Sequence, residues 1–342
     1  MTAATARPNS TSSVPAEMVA ALRRQGLADP TEHIHGVPVT GGVSSDVWRI
    51  DLPSGPVCLK RALPKLKVTA DWRAPTTRAQ WEARWLGMAG SVQPPILKAF
   101  DRDTGVLILE WLEPGGYPVW KNELIAGHVD VRFAGAVGDS LARLHAVGTH
   151  EDLGGWAQAR PLFETLRIAP YFRSTARAHP ECASRLADVI ESLEHADVTV
   201  IHGDISPKNI LTGPGGPVFL DAECASLGDP AFDIAFCLNH LLLKAVWMPD
   251  RVGELHTAAD ALLTAYAATV DWEDSDSVVQ RMLMYLPALA LARIDGMSPV
   301  EYLDNTNGRP VVRAAAVHLL NSPARTFDSH IARWASLTST NG

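Results

Sequence analysis

Three polar residues in the middle of the chain have the types and the spacing that phosphoryl transfer requires. Asp204 follows a His-Gly pair, Asn209 lies five positions further on, and Asp221 lies twelve positions after that. A carboxylate beside a substrate hydroxyl accepts its proton, whereas amide and carboxylate oxygens are the ligands that Mg²⁺ prefers. We therefore assign Asp204 as the base, and Asn209 and Asp221 as magnesium ligands, for transfer of a phosphoryl group from a nucleotide to an alcohol.

Short apolar runs precede both parts of this set. Residues 198–201 (VTVI) lead into His202, and residues 218–220 (VFL) lead into Asp221. Runs of β-branched and apolar residues of this length are typical of buried strands. We expect the two strands to form one hairpin that delivers the three polar side chains to the same edge.

Length and composition indicate a folded protein of about two domains. The chain has 342 residues, 46% of them hydrophobic, which is enough for a sizeable core. Its formal net charge is -8 and it has no Lys/Arg run, so neither nucleic acid nor an anionic membrane is expected as a partner. The four cysteines lack paired or metal-type spacing, which is typical of reduced thiols in a cytoplasmic protein. No feature indicates an oligomeric state.

The first third of the chain has the alternation and the turns of an antiparallel sheet. Residues 1–15, rich in Ser, Thr, Ala and Pro, are expected to be a disordered tail. A Pro-Gly-Gly break begins at Pro114, so we expect an N-terminal, nucleotide-binding lobe over residues 16–113. The elements predicted in that lobe are a helix from residue 16 to about 30, strands within 37–50, at 57–60, 96–100 and 106–111, and a helix over 77–89.

Residues 114–342 have a mainly helical pattern and are expected to form a catalytic and substrate-binding lobe. Apolar residues recur at helical spacing around residues 133–145, 186–193, 231–246, 258–269 and 278–294. The predicted fold class is therefore α+β, in a bilobal arrangement. A small antiparallel-sheet lobe precedes a mainly helical one, with a cleft between them.

The segment from His202 to Asn209 resembles the catalytic loop of the aminoglycoside phosphotransferase and choline kinase group, which are small-molecule kinases with a protein-kinase-like fold. Residues 219–223 resemble their metal-binding segment, and residues 228–235 resemble the stretch that follows it. The likeness covers roughly residues 37–246 in motif order, and it is weakest in the glycine turn near residue 41. It implies ATP and Mg²⁺ as cofactors and a small molecule with a hydroxyl group as the partner.

The resemblance also implies an ATP site in the first lobe. Lys60, at the end of a predicted strand, would hold the α- and β-phosphates, and Glu82 on the next helix would be its partner. Arg61 and Lys65 are the competing candidates for the lysine role. Glycines let backbone amides approach phosphates, and serine hydroxyls add donors. The remaining implied ATP contacts are Gly41, Gly42, Ser44, Ser45, the Glu110 carbonyl and the Leu112 amide.

Several polar residues near the catalytic loop have structural interpretations. His202 is expected to support the loop by hydrogen bonding, and Asp233 is expected to brace it. His145 lies on a predicted amphipathic helix, where a core-edge histidine is the expected role. Glu223, two positions after Asp221, either reaches a second metal ion or is exposed.

Two features are candidates for binding the acceptor, the molecule that receives the phosphoryl group. The segment from Arg293 to Tyr302 contains a charged pair beside a turn, and it either reaches the cleft or locks the last helices together. Acidic side chains in the helical lobe are candidates for binding an amine, although such residues are ordinary on exposed helices. They are Glu123, Asp130, Glu151, Asp152, Glu164 and Asp250.

The leading hypothesis is an ATP-dependent kinase that acts on a hydroxyl of an aminoglycoside, an amino sugar, an amino alcohol or a related metabolite. A protein kinase is a weaker alternative, because Ala222-Glu223 replaces Phe-Gly after Asp221 and no Ala-Pro-Glu follows. A catalytically silent nucleotide-binding protein is the third. The intact Asp204, Asn209 and Asp221 argue against that third reading.

Overall fold

The computed structural model describes residues 13–40, 44–65, 67, 73–304 and 307–339. The described residues form two compact units, one from Met1–Glu123 with Lys208–Cys224 and the other from Leu124–Pro207 with Ala225–Gly342. A five-stranded antiparallel sheet and a mainly helical remainder confirm the predicted α+β class. Most of the predicted tail, residues 1–12, lies outside the described residues. The predicted lobe boundaries stay predictions.

An antiparallel sheet is the frame of the first unit. Its strands lie in the order β1-β2-β3-β5-β4, and every neighbouring pair is antiparallel. The meander predicted from the turn residues is thereby confirmed. Pro38, which cannot donate a backbone hydrogen bond, lies on the edge strand. The strands are β1 Gly36–Pro38, β2 Ser45–Leu52, β3 Gly55–Ala62, β4 Leu97–Asp101 and β5 Val106–Glu110.

The two faces of this sheet are covered differently. Helix α1, Ala16–Arg24, packs Met18 and Leu22 into a buried cluster with alternate residues of the strands, among them Leu59 of β3. Because successive strand side chains point to opposite faces, Lys60 faces away from that cluster. Helix α2, Arg78–Ala89, supplies the group that Lys60 meets there.

Asp101, at the end of β4, ties α1 to the sheet. Arg24 Nε donates to its carboxylate over 3.0 Å, and this bond lowers the pKa of Asp101 to about 2 from its ordinary 3.8. A depressed native pKa means that ionised Asp101 stabilises the fold above pH 4 and loses this effect as the pH falls towards 2. We expect Asp101→Asn to lower the free energy of unfolding by about 1–2 kcal/mol at pH 7, and by about half as much at pH 3.

Urea denaturation at the two pH values measures this difference. Asp103→Asn is the matched control, since the Asp103 side chain is 77% exposed and lies 3.6 Å from Arg24. The control is expected to change stability by less than about 0.5 kcal/mol. An Asp101→Asn effect that is equal at pH 7 and pH 3 would mean that the ion pair with Arg24 is not its source.

The two strands predicted around the polar motif do not pair with each other, so the predicted hairpin is wrong. Strand β6, Thr199–Ile201, pairs with β9, Ser226–Gly228, and these lie in the second unit. Strand β7, Ile210–Gly213, pairs with β8, Gly216–Phe219, in the first unit. Both unpredicted strands are short and contain Gly with Ser or Thr, so they lack the apolar run that indicates a strand.

Helices dominate the second unit, as predicted. Asp130 and Asp229 cap two of the long helices, each through a carboxylate that accepts backbone N–H groups. The backbones of two helices approach closely at Gly138, where a Cβ would lie 2.0 Å from the Leu262 carbonyl oxygen. The helices from the end of the first unit onwards are α3 Trp120–Ile125, α4 Val131–Gly148, α5 Leu153–Trp156, α6 Arg160–Phe163, α7 Ser174–Ala178, α8 Ala183–His195, α9 Pro230–Trp247, α10 Val252–Thr269, α11 Ser275–Asp295, α12 Gly308–Asn321 and α13 Phe327–Thr338.

One of the longer helical segments has π geometry. Residues Glu164–Arg173 form a π-helix with Pro170 inside it. No pattern in the sequence predicts this element. None of the helices in the described ranges combines the length and the apolar character that crossing a membrane requires.

Candidate active site

The first unit brings the predicted lysine and its predicted partner together. Lys60 Nζ donates to both carboxylate oxygens of Glu82, over 2.6 and 2.7 Å, and also to Oδ1 of Asp221. All three side chains are buried or nearly so. The contact joins the end of β3, the middle of α2 and the residues that follow β8, three elements that are distant in the sequence.

Lys60 and Asp221 each stabilise the charged form of the other. Burial alone would lower the pKa of the Lys60 ammonium, but the neighbouring carboxylates of Asp221 and Glu82 outweigh it and raise that pKa. Burial would likewise raise the pKa of Asp221, but the charge of Lys60 holds it below the usual range. Lys60 and Asp221 are therefore ionised at neutral pH. Burial raises the pKa of Glu82 to about 7, although Lys60 opposes that shift.

A buried arginine holds the surrounding backbone in place. Arg78 is fully buried, and its guanidinium donates to the carbonyls of Ser44 and Leu63 over 2.6 and 2.8 Å. Its Nε donates to Glu223 over 2.8 Å. Glu223 is thus engaged by Arg78, which is neither of the two roles that the sequence left open for it.

The two predicted metal ligands flank the β7–β8 hairpin at its open end. Ile210 pairs with Phe219, and Leu220 N donates to Asn209 O over 2.9 Å. Asn209 therefore lies just before β7, and Asp221 lies just after β8. Asp221 has φ +68°, a left-handed conformation that is uncommon for a residue other than glycine. Such conformations persist where the surrounding structure enforces them, often at functional sites. A carboxylate and an amide oxygen are a donor set that suits Mg²⁺.

The other predicted ATP contacts are placed less completely. Gly41 and Gly42 lie outside the described residues. Ser44 and Ser45 are buried at the start of β2. Glu110 ends β5, where its N–H donates to Ile96 O over 2.7 Å, and Leu112 follows it, half-buried.

The competing cations for the lysine role lie elsewhere in the first unit. Arg61 forms ion pairs with Glu17 and, over 3.3 Å, with Asp46. Lys65 forms an isolated backbone bridge with Arg73. Of the three candidates, Lys60 is the one that the structure brings to Glu82 and Asp221.

In the second unit, Asp233 holds the backbone that leads to the predicted base. Its carboxylate accepts the N–H groups of His202 and Gly203 over 2.7 and 2.8 Å. It also lies 3.2 Å from His145 Nε2, and His145 Nδ1 lies 2.8 Å from the Tyr266 hydroxyl. His145 is therefore a buried core histidine, as predicted, and it additionally orients Asp233.

The turn before the base depends on a left-handed glycine. Gly203 has φ +77°, where a side chain would be strained. Asp204 N donates to His202 Nδ1 over 3.1 Å, which fits the supporting role predicted for His202.

Arg167 is a residue of this site that the sequence analysis missed. It lies in the π-helix, donates from Nε to Gly203 O over 2.5 Å, and pairs with Asp204 Oδ1 over 2.9 Å. Both Arg167 and Asp204 are at least 90% buried. Arg167 therefore holds both the Asp204 carboxylate and the Gly203 carbonyl in position. No periodicity marks this segment, so only the pairing rule for buried carboxylates could have suggested a cation here.

The chain is similar to a known kinase over part of its length. A homoserine kinase of Beijerinckia indica is 36% identical over 121 residues, which are 32% of this chain and 36% of that enzyme. The chain therefore spans about a third of that relative's length.

Two solved structures share the fold over most of the chain. The ethanolamine kinase of Plasmodium vivax aligns with a TM-score of 0.57 at 14% identity, over 89% of this chain and 88% of that one. An amicoumacin kinase solved with AMP-PNP and Ca²⁺ aligns with a TM-score of 0.56 at 13% identity, over 90% of this chain and 95% of that one. At these identities the likeness concerns the fold alone.

The sequence profile described as the phosphotransferase enzyme family matches residues 35–274, which is well over half of the chain and includes Lys60, Glu82, Asp204, Asn209 and Asp221. The chain belongs to this phosphotransferase family.

Proposed function

We propose that this protein transfers the γ-phosphoryl group of ATP to a hydroxyl group of a small molecule. The observation that carries the proposal is the buried contact of Lys60 with both Glu82 and Asp221. A buried ammonium between two carboxylates has no structural necessity, since a well-packed apolar cluster is usually at least as stable. Its retention in a phosphotransferase is explained if Lys60 binds phosphates.

Each group has a role that follows from its surroundings. Glu82 orients Lys60, which stays charged and donates to the nucleotide phosphates. Asp204 accepts the proton of the acceptor hydroxyl, and Arg167 and Asp233 hold it in position for that step. Asn209 and Asp221 would hold a divalent cation. When bound, that cation neutralises charge that develops on the transferred group.

A coupled assay of ADP production tests the proposal. The wild-type protein is incubated with ATP, Mg²⁺ and a panel of hydroxyl compounds, and phosphorylated products are identified by mass spectrometry. The panel comprises aminoglycosides, amino sugars, choline and ethanolamine, and homoserine because one relative is a homoserine kinase. We expect at least one member to be phosphorylated on a hydroxyl.

The same assay separates the proposal from its alternatives. A protein that binds ATP with Mg²⁺ but phosphorylates nothing in a wide panel would be a catalytically silent nucleotide-binding protein. Transfer to a generic protein substrate such as casein would indicate a protein kinase. Either result would contradict transfer to a small molecule.

A further inference from the structure

A second group of cations lies in the unit that carries Asp204. Arg293 of α11 is half-buried, and its Nη1 donates to the Tyr171 hydroxyl over 3.3 Å and to Ser298 Oγ over 2.7 Å. Lys244 of α9 places its ammonium 4.9 Å from the centre of the Tyr302 ring. Val300 N donates to Arg293 O over 2.8 Å, so the backbone that leads to Tyr302 folds back onto Arg293.

An aromatic side chain connects this group to the predicted base. The guanidinium carbon of Arg167 lies 5.5 Å from the centre of the Tyr171 ring, and that of Arg293 lies 5.8 Å from the same centre. Arg167 in turn pairs with Asp204. Tyr171 and Arg167 thus connect Arg293 to Asp204 within the second unit.

Two buried polar atoms of this group lack a partner within the described part of the chain. They are Arg293 Nε and the Tyr302 hydroxyl oxygen. An unsatisfied buried donor costs free energy, and native proteins contain few of them. Arg293 also has no carboxylate partner among the described residues, in contrast to Arg313, which pairs with Asp295 over 2.6 Å.

The segment from Arg293 to Tyr302 thus fits both of the roles that the sequence left open. Asp295 provides the lock, because Arg313 and His179 both bind its carboxylate, the latter over 2.8 Å. Arg293 does not take part in this lock. Its guanidinium lies against the Tyr171 ring, and its Nε lacks a partner among the described residues.

Three of the acidic residues considered for binding an amine have partners elsewhere. Asp130 and Asp152 accept the N–H groups of α4 and α5 as helix caps. Glu164 pairs with Arg173 over 2.8 Å. The side chain that contacts the Tyr171 ring together with Arg167 is the cation Arg293.

We propose that the acceptor is a hydroxy acid whose carboxylate is bound by Arg293 and Tyr302 while its hydroxyl faces Asp204. A guanidinium donates two parallel hydrogen bonds to a planar carboxylate, and a phenol adds a third. Lys244 contributes long-range attraction. This proposal rests on the proposed phosphoryl transfer and narrows the class of its acceptor.

Matched acceptor pairs test the proposal. Homoserine is compared with aminopropanol, its decarboxylated counterpart, and glycerate is compared with glycerol. In each pair both members offer hydroxyls, and only the first offers a carboxylate. We expect kcat/KM for the acid to exceed that for its partner by about 10- to 100-fold, the effect of a charge-assisted hydrogen bond. Equal or inverted preference in both pairs overturns the proposal.

Two variants and one control localise the effect. We expect Arg293→Gln to raise KM for the acid by about 10- to 100-fold with less effect on kcat, and to leave KM for ATP unchanged. Tyr302→Phe should act in the same direction, more weakly. Arg143→Gln is the control, since the Arg143 side chain is 63% exposed and pairs with Asp139. A loss of Arg293→Gln activity that is equal for acids and non-acids would show a structural role and reject the carboxylate site.

A binding measurement keeps the proposal testable if no acceptor is phosphorylated. Trp247 lies 5.2 Å from the Tyr302 ring, so its fluorescence reports on this group. Saturable quenching by homoserine in the wild type, lost in Arg293→Gln, would support the carboxylate site even though phosphoryl transfer had failed. No saturable change with either homoserine or glycerate would reject the site, whatever the assay of ATP turnover shows.

Discussion

Asp204→Asn is expected to lower kcat for phosphoryl transfer by about 10²- to 10⁴-fold and to leave the affinity for ATP unchanged. The carboxylate is the proposed acceptor of the hydroxyl proton, whereas an amide is not basic enough to take it. Lys60, Glu82 and Asp221 belong to the other compact unit and keep their contacts. Steady-state kinetics with saturating acceptor measure kcat, and a nucleotide-binding titration measures the affinity.

A structural side effect has to be separated from this loss. Arg167 and Asp204 form a buried ion pair, and removing the carboxylate leaves the guanidinium with less compensation. Thermal unfolding of Asp204→Asn shows whether the variant is folded at the assay temperature. Asp188→Asn, an exposed acid on α8 in the same unit, is the matched control. Retention of kcat within about threefold by a folded Asp204→Asn would eliminate Asp204 as the base.

The second large effect is expected for Asp221→Asn, with a drop in kcat/KM of about 10²- to 10⁴-fold. The change removes a charge that serves as a proposed cation ligand and as a partner of Lys60. The Mg²⁺ concentration required for half-maximal activity should rise, because an amide is a weaker ligand than a carboxylate. Titration of activity with Mg²⁺ at saturating ATP measures this shift.

Variants of Asp221 and Lys60 distinguish the two contributions of Asp221, as a ligand of the cation and as a partner of Lys60. Lys60→Met is expected to weaken nucleotide binding without changing the Mg²⁺ requirement, whereas Asp221→Asn should change both. Asp103→Asn, an exposed acid of the same unit, should change neither. An unchanged Mg²⁺ requirement in a folded Asp221→Asn would show that Asp221 acts through Lys60 and not on the cation.

Local patterns sufficed for much of the fold and for part of the site. Alternating apolar residues and turn residues predicted β2 and β3, and helical periodicity predicted α2. The roles of Lys60 and Glu82 were implied by the resemblance to the kinase group, and the structure brings the two side chains into contact. Each lies in an element with a strong pattern of its own. Their order along the chain, strand end before helix, matches what that resemblance implies.

The remainder depends on contacts between segments without such patterns. Strand β9 has the sequence Ser-Leu-Gly, which predicts a loop as readily as a strand, so the pairing of β6 was assigned to the wrong partner. The role of Glu223 was left open because its partner, Arg78, lies 145 positions away in the sequence. Long-range partners of charged residues are set by tertiary packing, which a single sequence does not display.

The π-helix at Glu164–Arg173 has a consequence for comparing family members. Its hydrogen bonds close over five residues, whereas those of an ordinary α-helix close over four, so the segment accommodates an inserted residue. A relative that keeps an α-helix at this place needs an alignment gap within the segment. Without that gap, Arg167 or its neighbours are matched one position out of register. Conservation scores from ungapped alignments would then understate how often family members keep an arginine beside the base.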